Sequence, residues 1–219
     1  MKRLLVALTV VLASITGLGF LLVEKSDSED WERISESNGV TMFRRTSTVL
    51  GPIAFRGEAR VIGQPHDVAA VLLDDGQSSE WLPFQSIRTT TKQLSSLSRV
   101  TTMNLQIPWP LSQNSYCAFL TSEILPDGGT VIRELSPPAS LSQECPKGAD
   151  AHYDGTIEIH PVSGALESIV SVQANWTLPG QVPQVIQTAL LKYWVKRTVV
   201  GIRSQMESRS LKPKAAGAG

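Results

Sequence analysis

The chain has 219 residues, 42% of them hydrophobic, which suits one domain with a real buried core plus an N-terminal extension. Lysine plus arginine and aspartate plus glutamate both number 20, so the formal net charge is zero. That balance argues against a nucleic-acid partner, which requires a basic surface, and no block of like charge or internal repeat offsets it.

Lys2 and Arg3 precede Leu4–Val23, a stretch without charge and just long enough to cross a bilayer as a helix. The cations in front place the start in the cytoplasm and the remainder outside. Residues 1–25 are therefore expected to be a signal peptide or an uncleaved transmembrane anchor. Gly17-Leu18-Gly19 is a poor cleavage site, and the apolar run continues past it, which favours the anchor. Ser26-x-x-Glu29 matches a capping box, predicting a short helix to about Glu36 that contains Trp31. With a helix starting near Asp27, only about three residues, roughly 10 Å of chain, separate anchor from domain.

Strands are predicted over Gly39–Thr46 and Pro52–Ile62, then a helix over Pro65–Asp75 with proline in its first turn. Further strands follow at Phe84–Thr91, Leu97–Gln106, Tyr116–Leu125, Thr130–Leu135, Tyr153–Ile159 and Glu167–Leu178. Between the second and third of these lies Ile107-Pro108-Trp109-Pro110-Leu111, where two prolines cannot continue a ladder and the chain must leave the sheet. Asp127-Gly128-Gly129 and Val162-Ser163-Gly164 are hairpin turns, so the strands form an antiparallel meander. A long helix is expected over Val182–Arg209, and residues 210–219 form a small, basic tail without periodicity, expected to be disordered.

Alternation assigns the sheet faces. Arg99, Thr101, Met103, Leu105 and Ile107 share one face, as do Tyr116, Ala118, Leu120 and Ile124. Val170, Val172, Ala174, Trp176 and Leu178 give the cleanest stripe. On the long helix the stripe to be buried is Ile186, Ala189, Leu190, Tyr193, Trp194, Arg197, Val200 and Gly201. The class is α+β, with one amphipathic helix laid against a curved antiparallel sheet.

Chemistry-bearing residues are sparse. Cys117 falls in a strand and Cys145 in the loop Ser136–Ala149; a disulfide is chemically permitted if the domain is exported, and two unpaired thiols are the alternative. No Cys/His spacing suggests a metal, and no cofactor is expected. His152 and His160 share parity with Asp154 and Glu158, which reads as a solvated outer strand face, and His66 is expected at the surface. No nucleophile–base arrangement is visible. Asn175-Trp176-Thr177 matches a glycosylation sequon by chance, since it lies in a strand with Trp176 pointing inward.

Four segments in order resemble a known family. Trp31 followed by Gly39-Val40-Thr41-Met42-Phe43-Arg44-Arg45 is similar to an opening Gly-Val-x-Val-Tyr-x-Arg, and Trp81 follows a short helix. Pro108-Trp109-Pro110-Leu111-Ser112-Gln113-Asn114-Ser115-Tyr116 resembles Pro-x-Pro-Leu-Ser-x-Arg-Asp-Tyr. Leu178-Pro179-Gly180-Gln181-Val182-Pro183 resembles Pro-Gly-Gly-x-Ile-Pro before the final helix. The family is that of START, or StAR-related lipid-transfer, domains of the helix-grip superfamily, and the resemblance covers about residues 29–209. It implies a curved antiparallel sheet wrapped around the C-terminal helix, enclosing a hydrophobic cavity, with residues 26–209 as the lipid-binding domain. The chain departs from the pattern at Asn114-Ser115, where the family has Arg-Asp. Charged cavity residues of some cholesterol-binding members would fall near Thr101 and Leu120, which are uncharged, so sterol specificity has no support; Arg99 or Arg133 remain as polar cavity groups.

The implied function is binding of one hydrophobic ligand, a lipid, fatty acyl chain or sterol-like molecule, for transfer at or near a membrane, without catalysis. The expected lipid-contacting residues are Trp81, Thr101, Met103, Leu105, Trp109, Tyr116, Leu120, Val170, Val172, Trp176, Ile186, Leu190 and Trp194. The domain is expected to be monomeric and exported, periplasmic or membrane-anchored outside the cytoplasm. A helix-grip enzyme of cyclase/aromatase type and an interaction protein with a filled core are the alternatives.

Overall fold

The structure, a computed structural model, describes residues 31–45, 53–106, 114–149, 151–178 and 182–211. The segments 1–25 and 212–219, and Trp109 with its flanking prolines, lie outside the described residues. Among the described residues, nine strands form one antiparallel sheet: β1 (Glu32–Ser37), β2 (Val40–Arg45), β3 (Ala54–Ile62), β4 (Ile87–Gln93), β5 (Ser98–Leu105), β6 (Asn114–Ile124), β7 (Thr130–Leu135), β8 (His152–Pro161) and β9 (Glu167–Thr177). Their spatial order is β1-β2-β3-β9-β8-β7-β6-β5-β4. The β3-to-β4 crossover carries α1 (Pro65–Leu73) and α2 (Ser78–Trp81), and α3 (Gln184–Leu211) closes the chain.

The sheet runs from β4 to β9 through consecutive hairpins and then places β9 against β3, which joins the two ends of the sequence. Ser168, Val170, Val172, Ala174 and Trp176 alternate inward along β9, as their period of two requires. The helix α3 lies along β2, β3 and β9. It buries Leu191, Trp194, Val195, Thr198, Val199, Ile202 and Met206, a stripe at three- and four-residue spacing.

Several expectations are corrected. Residues 26–30 of the predicted first helix lie outside the described residues, and the described part is a strand: Glu32–Ser37 pairs with β2 as a hairpin, and Trp31 precedes it. The reason is Asn38-Gly39, whose positive φ values of 55° and 69° fit a type I′ turn between twisted strands. The strand expected from Phe84 begins at Ile87, because Phe84 sits at φ 58° in a 3₁₀ turn, Pro83–Gln85. The loop carrying Cys145 contains a 3₁₀ helix, Ala139–Glu144. Ile124 is 77% exposed, since the end of β6 runs past the core. Ile186 and Tyr193 are 40% and 46% exposed, and Leu190 is only partly buried. Apolar residues occupy a wide arc of α3, and its contact with the sheet selects the part of that arc centred on Trp194 and Val195.

Two close approaches fix that rotation. A Cβ at Gly57 of β3 would stand 3.1–3.2 Å from Val199, Met42 and Val195, so the missing side chain lets α3 settle on the sheet. A Cβ on Gly201 would lie 2.1 Å from the Trp81 carbonyl oxygen. Alanine there would gain about 1 kcal/mol of helix propensity, but the clash is with backbone, and overpacking costs about 1–3 kcal/mol. Gly201→Ala is therefore expected to destabilise the domain by up to about 2 kcal/mol in urea unfolding. A neutral or stabilised variant would mean that α2 yields freely.

Candidate functional site

The concave face of the sheet and the surfaces of α1, α2 and α3 turned toward it define the interior. Cross-strand register shows which side chains share that face. Met103 of β5 lies opposite Tyr116 of β6, and Thr101 opposite Ala118. Leu120 has Arg99 opposite on one side and Glu134 opposite on the other. On β4, Arg88 lies opposite Met103. The row that crosses the middle of the face is apolar: Ile132 beside Ile157, then Val172, then Gly57.

Ten of the predicted site residues are buried: Trp81, Thr101, Met103, Leu105, Tyr116, Leu120, Val170, Val172, Trp176 and Trp194. Leu190 and Ile186 instead face a shallow apolar groove of about 580 Å³ on the outer side of α3, with Phe84, Val185, Ala189 and Tyr193. Trp109 lies outside the described residues.

The feature that the sequence did not reveal is a charged quartet, buried at Arg88 and Glu134 and partly buried at Arg99 and Asp75. The Arg88 side chain is 1% exposed. Its Nη1 donates to Glu134 Oε1 at 3.0 Å, its Nε to Asp75 Oδ1 at 2.7 Å, and its Nη2 to the Leu72 carbonyl at the end of α1. Arg99 Nη2 donates to the same Asp75 oxygen at 3.0 Å and to the Leu73 carbonyl at 2.7 Å. Thr90 Oγ1 donates to Asp75 Oδ2 at 2.5 Å, and the Arg88 guanidinium stands 5.7 Å from the Trp81 ring. Two cations meet two anions, so the cluster is neutral as a whole. Burial alone would lower the Arg88 pKa, but the Glu134 and Asp75 carboxylates outweigh it and raise the value. For Arg99 burial wins and the pKa falls. Arg133, the other arginine considered, points outward and pairs with Glu123 at 3.2 Å.

Aromatic groups lead away from this cluster. Tyr116 donates its hydroxyl hydrogen to Glu134 Oε2 at 3.4 Å and stacks on Tyr153 with ring centres 4.6 Å apart. Burial raises the pKa of both phenols, well above the usual value, and the Glu134 charge adds to it, so both remain protonated donors. The Tyr153 hydroxyl is also a hydrogen-bond partner of Trp194, whose ring lies 5.7 Å from Trp176 and 6.2 Å from Phe84. Among the described residues, the buried Trp81 Nε1 and Thr198 Oγ1 have no hydrogen-bond partner.

Cys117 and Cys145 are joined as a disulfide with Cα atoms 5.7 Å apart, tying β6 to the end of the 3₁₀ helix. The outer face of the sheet carries His152 and His160. His160 Nδ1 is 2.7 Å from Asp127 Oδ2, and that hydrogen bond raises the imidazole pKa and lowers that of the carboxylate. His66 is exposed beside Asp67. Among the described residues no helix is long and apolar enough to cross a membrane.

No protein-family model matches the chain, and no curated protein matches it. Solved structures do. The human StarD13 (DLC2) lipid transfer and protein localization domain aligns at TM-score 0.70 and 18% identity, over 88% of this chain and 95% of that one. A STAR-related lipid transfer protein from Xanthomonas axonopodis aligns at TM-score 0.67 and 19% identity, over 81% of this chain and 98% of that one. The Zhui aromatase/cyclase from Streptomyces aligns more distantly, at TM-score 0.51 and 13% identity, over 75% and 97% of the two chains. The fold of this chain is the helix-grip fold of START domains.

Proposed function

We propose that the domain binds one hydrophobic ligand between the concave sheet and its helices, as a lipid-binding or lipid-transfer protein acting at a membrane. The observation that carries the reading is an apolar interior with one localised polar end. Val170, Val172, Leu120, Met103 and Trp176 are buried along the sheet, while Arg88, Glu134, Tyr116 and Tyr153 gather on the β4–β8 side. Such a surface suits a ligand with an apolar body and a single polar group. The protonated phenol of Tyr153, which accepts from Trp194, and the unpartnered Trp81 N–H offer donors to an oxygen of that group. Each ligand CH₂ moved out of water contributes about 0.8 kcal/mol, so affinity needs no catalytic chemistry. The fold shared with lipid-transfer domains supports the same reading.

Location is part of the proposal. The uncharged run Leu4–Val23 would hold the domain outside the cytoplasm, and the disulfide fits an oxidising compartment. Few residues separate that run from the first strand, which begins at Glu32, so the tether is short. The domain would then sample the adjacent leaflet rather than travel between membranes.

Organic extraction of the purified full-length protein, followed by mass spectrometry, tests the reading. About one hydrophobic molecule per chain is expected, with occupancy reduced by Tyr116→Phe or Glu134→Gln. Protein that carries no such molecule and binds no fluorescent acyl probe would remove it in favour of a filled-core interaction protein. The cyclase/aromatase alternative draws on the likeness to Zhui and on the same polar cluster. It predicts turnover of a polyketide-like substrate that is lost in the same variants, and not on changing His160, which lies on the outer face.

A further inference from the structure

We propose that Ser136, His152 and Asp154 form a nucleophilic site on the outer face of the sheet, able to accept the acyl group of a small ester. The three residues belong to two different segments. Ser136 directly follows β7, while His152 and Asp154 alternate outward at the start of β8. Ser136 Oγ lies 2.7 Å from His152 Nδ1, and His152 Nε2 lies 3.0 Å from Asp154 Oδ2. The backbone N–H of Ser136 donates to the other Asp154 oxygen at 3.3 Å, which fixes the serine relative to the carboxylate.

The chemistry of the acceptors selects the tautomer. An ionised carboxylate only accepts, so the neutral imidazole carries its hydrogen on Nε2, and Nδ1 is left with a lone pair facing the serine hydroxyl. That is the arrangement a base needs to activate a hydroxyl, with the carboxylate orienting the ring and stabilising the imidazolium that forms. The nitrogens are exchanged relative to chymotrypsin-like triads, but the roles depend on geometry and not on which nitrogen serves.

The same residues line an outer groove of about 460 Å³ with Leu135, Gly155, Thr156, Gln173 and Asn175. Asn175 lies directly across from Asp154, and Gln173 across from Thr156, so two carboxamides on β9 form the far side of the same groove and give it a polar wall. Leu135, 42% exposed, supplies an apolar wall for an acyl or aryl group. In the proposed step Ser136 Oγ bonds to the ester carbonyl carbon while its proton passes to His152 Nδ1. The C–O bond to the alcohol then breaks, and the leaving oxygen takes that proton. Water, deprotonated by the same nitrogen, releases the acid and restores the serine.

The full-length protein is treated with a fluorophosphonate probe, which phosphonylates activated serines, and digested for mass spectrometry. An adduct on Ser136 of the folded wild-type protein is expected. His152→Gln should slow labelling at least about tenfold, whereas Ser142→Ala, on the same loop, should label like the wild type. Hydrolysis of p-nitrophenyl butyrate should fall in parallel in Ser136→Ala. Absence of an adduct at Ser136, or labelling that His152→Gln leaves unchanged, would overturn the proposal. In that case the three bonds only fasten the loop to the sheet. The wild-type adduct map needs no variant to fold, and the readout is independent of anything bound in the interior.

Discussion

Arg88→Met is expected to cost the domain about 3–5 kcal/mol of folding free energy, and Arg88→Met/Glu134→Gln to recover at least half of that loss. The arginine side chain is 1% exposed and satisfies Glu134, Asp75 and the end of α1 at once. Methionine fills similar volume without charge. Among the described residues, it leaves Glu134, with an 11% exposed side chain, facing only the Tyr116 hydroxyl at 3.4 Å. An uncompensated buried carboxylate is the dominant penalty, because Asp75 still has Arg99 at 3.0 Å. Neutralising Glu134 removes that penalty, which is why the double variant should be the more stable one. Urea unfolding followed by tryptophan fluorescence reads both values. A single-variant loss below about 1 kcal/mol would show that the pair is solvated, as surface ion pairs are.

Removing the Cys117–Cys145 bridge is the second large effect. The bond closes a loop with a sequence separation of 28, for which the chain-entropy relation gives roughly 3–4 kcal/mol. The enclosed segment includes β7, which carries Glu134, and the 3₁₀ helix, where Lys92 Nζ meets Glu144 Oε1 at 2.8 Å. Loss of the bridge frees the loop after β7 without touching the interior directly. Cys117→Ala/Cys145→Ala, or reduction of the wild type, should lower stability by about 2–4 kcal/mol while leaving the extracted ligand unchanged. Protein isolated from its own compartment should present no titratable thiol until denatured with reductant. Free thiols at both positions in that material would contradict the proposed export.

Much of the fold was legible because it is written in local periodicity. Thr130–Leu135 begins and ends where alternation placed it, bounded by the Asp127-Gly128-Gly129 turn. The inward stripe of β9 and the long final helix follow in the same way. The first hairpin carries a local signal too: Asn38-Gly39 is the turn pair that type I′ geometry requires, and over Glu32–Ser37 it outweighs the helical signal of the capping-box pattern at Ser26 and Glu29. The apolar arc of α3 was recognised, whereas its buried part was shifted by about one position. Periodicity gives the breadth of an apolar face, and packing against Gly57 and the Trp81 backbone chooses its centre.

The candidate sites divide along the same line. The sequence by itself determined which residues have an apolar inward parity, and so most of the buried interior, including Tyr116, Leu120, Val172 and Trp176. It also determined the order of elements that yields a helix-grip fold. Inward parity already marked Arg99, but only the tertiary structure decided which charges meet within that interior. Thr101 and Leu120 are uncharged as read, yet the register of three strands brings Arg99 and Glu134 to either side of Leu120. Glu134 and Arg88 are 46 residues apart, as Ser136 and His152 are 16 apart, and no local pattern links either pair. Side-chain parity is a property of one strand and can be read along it, whereas the meeting of two ionisable groups depends on how strands are paired, which is fixed by long-range contacts across the sheet.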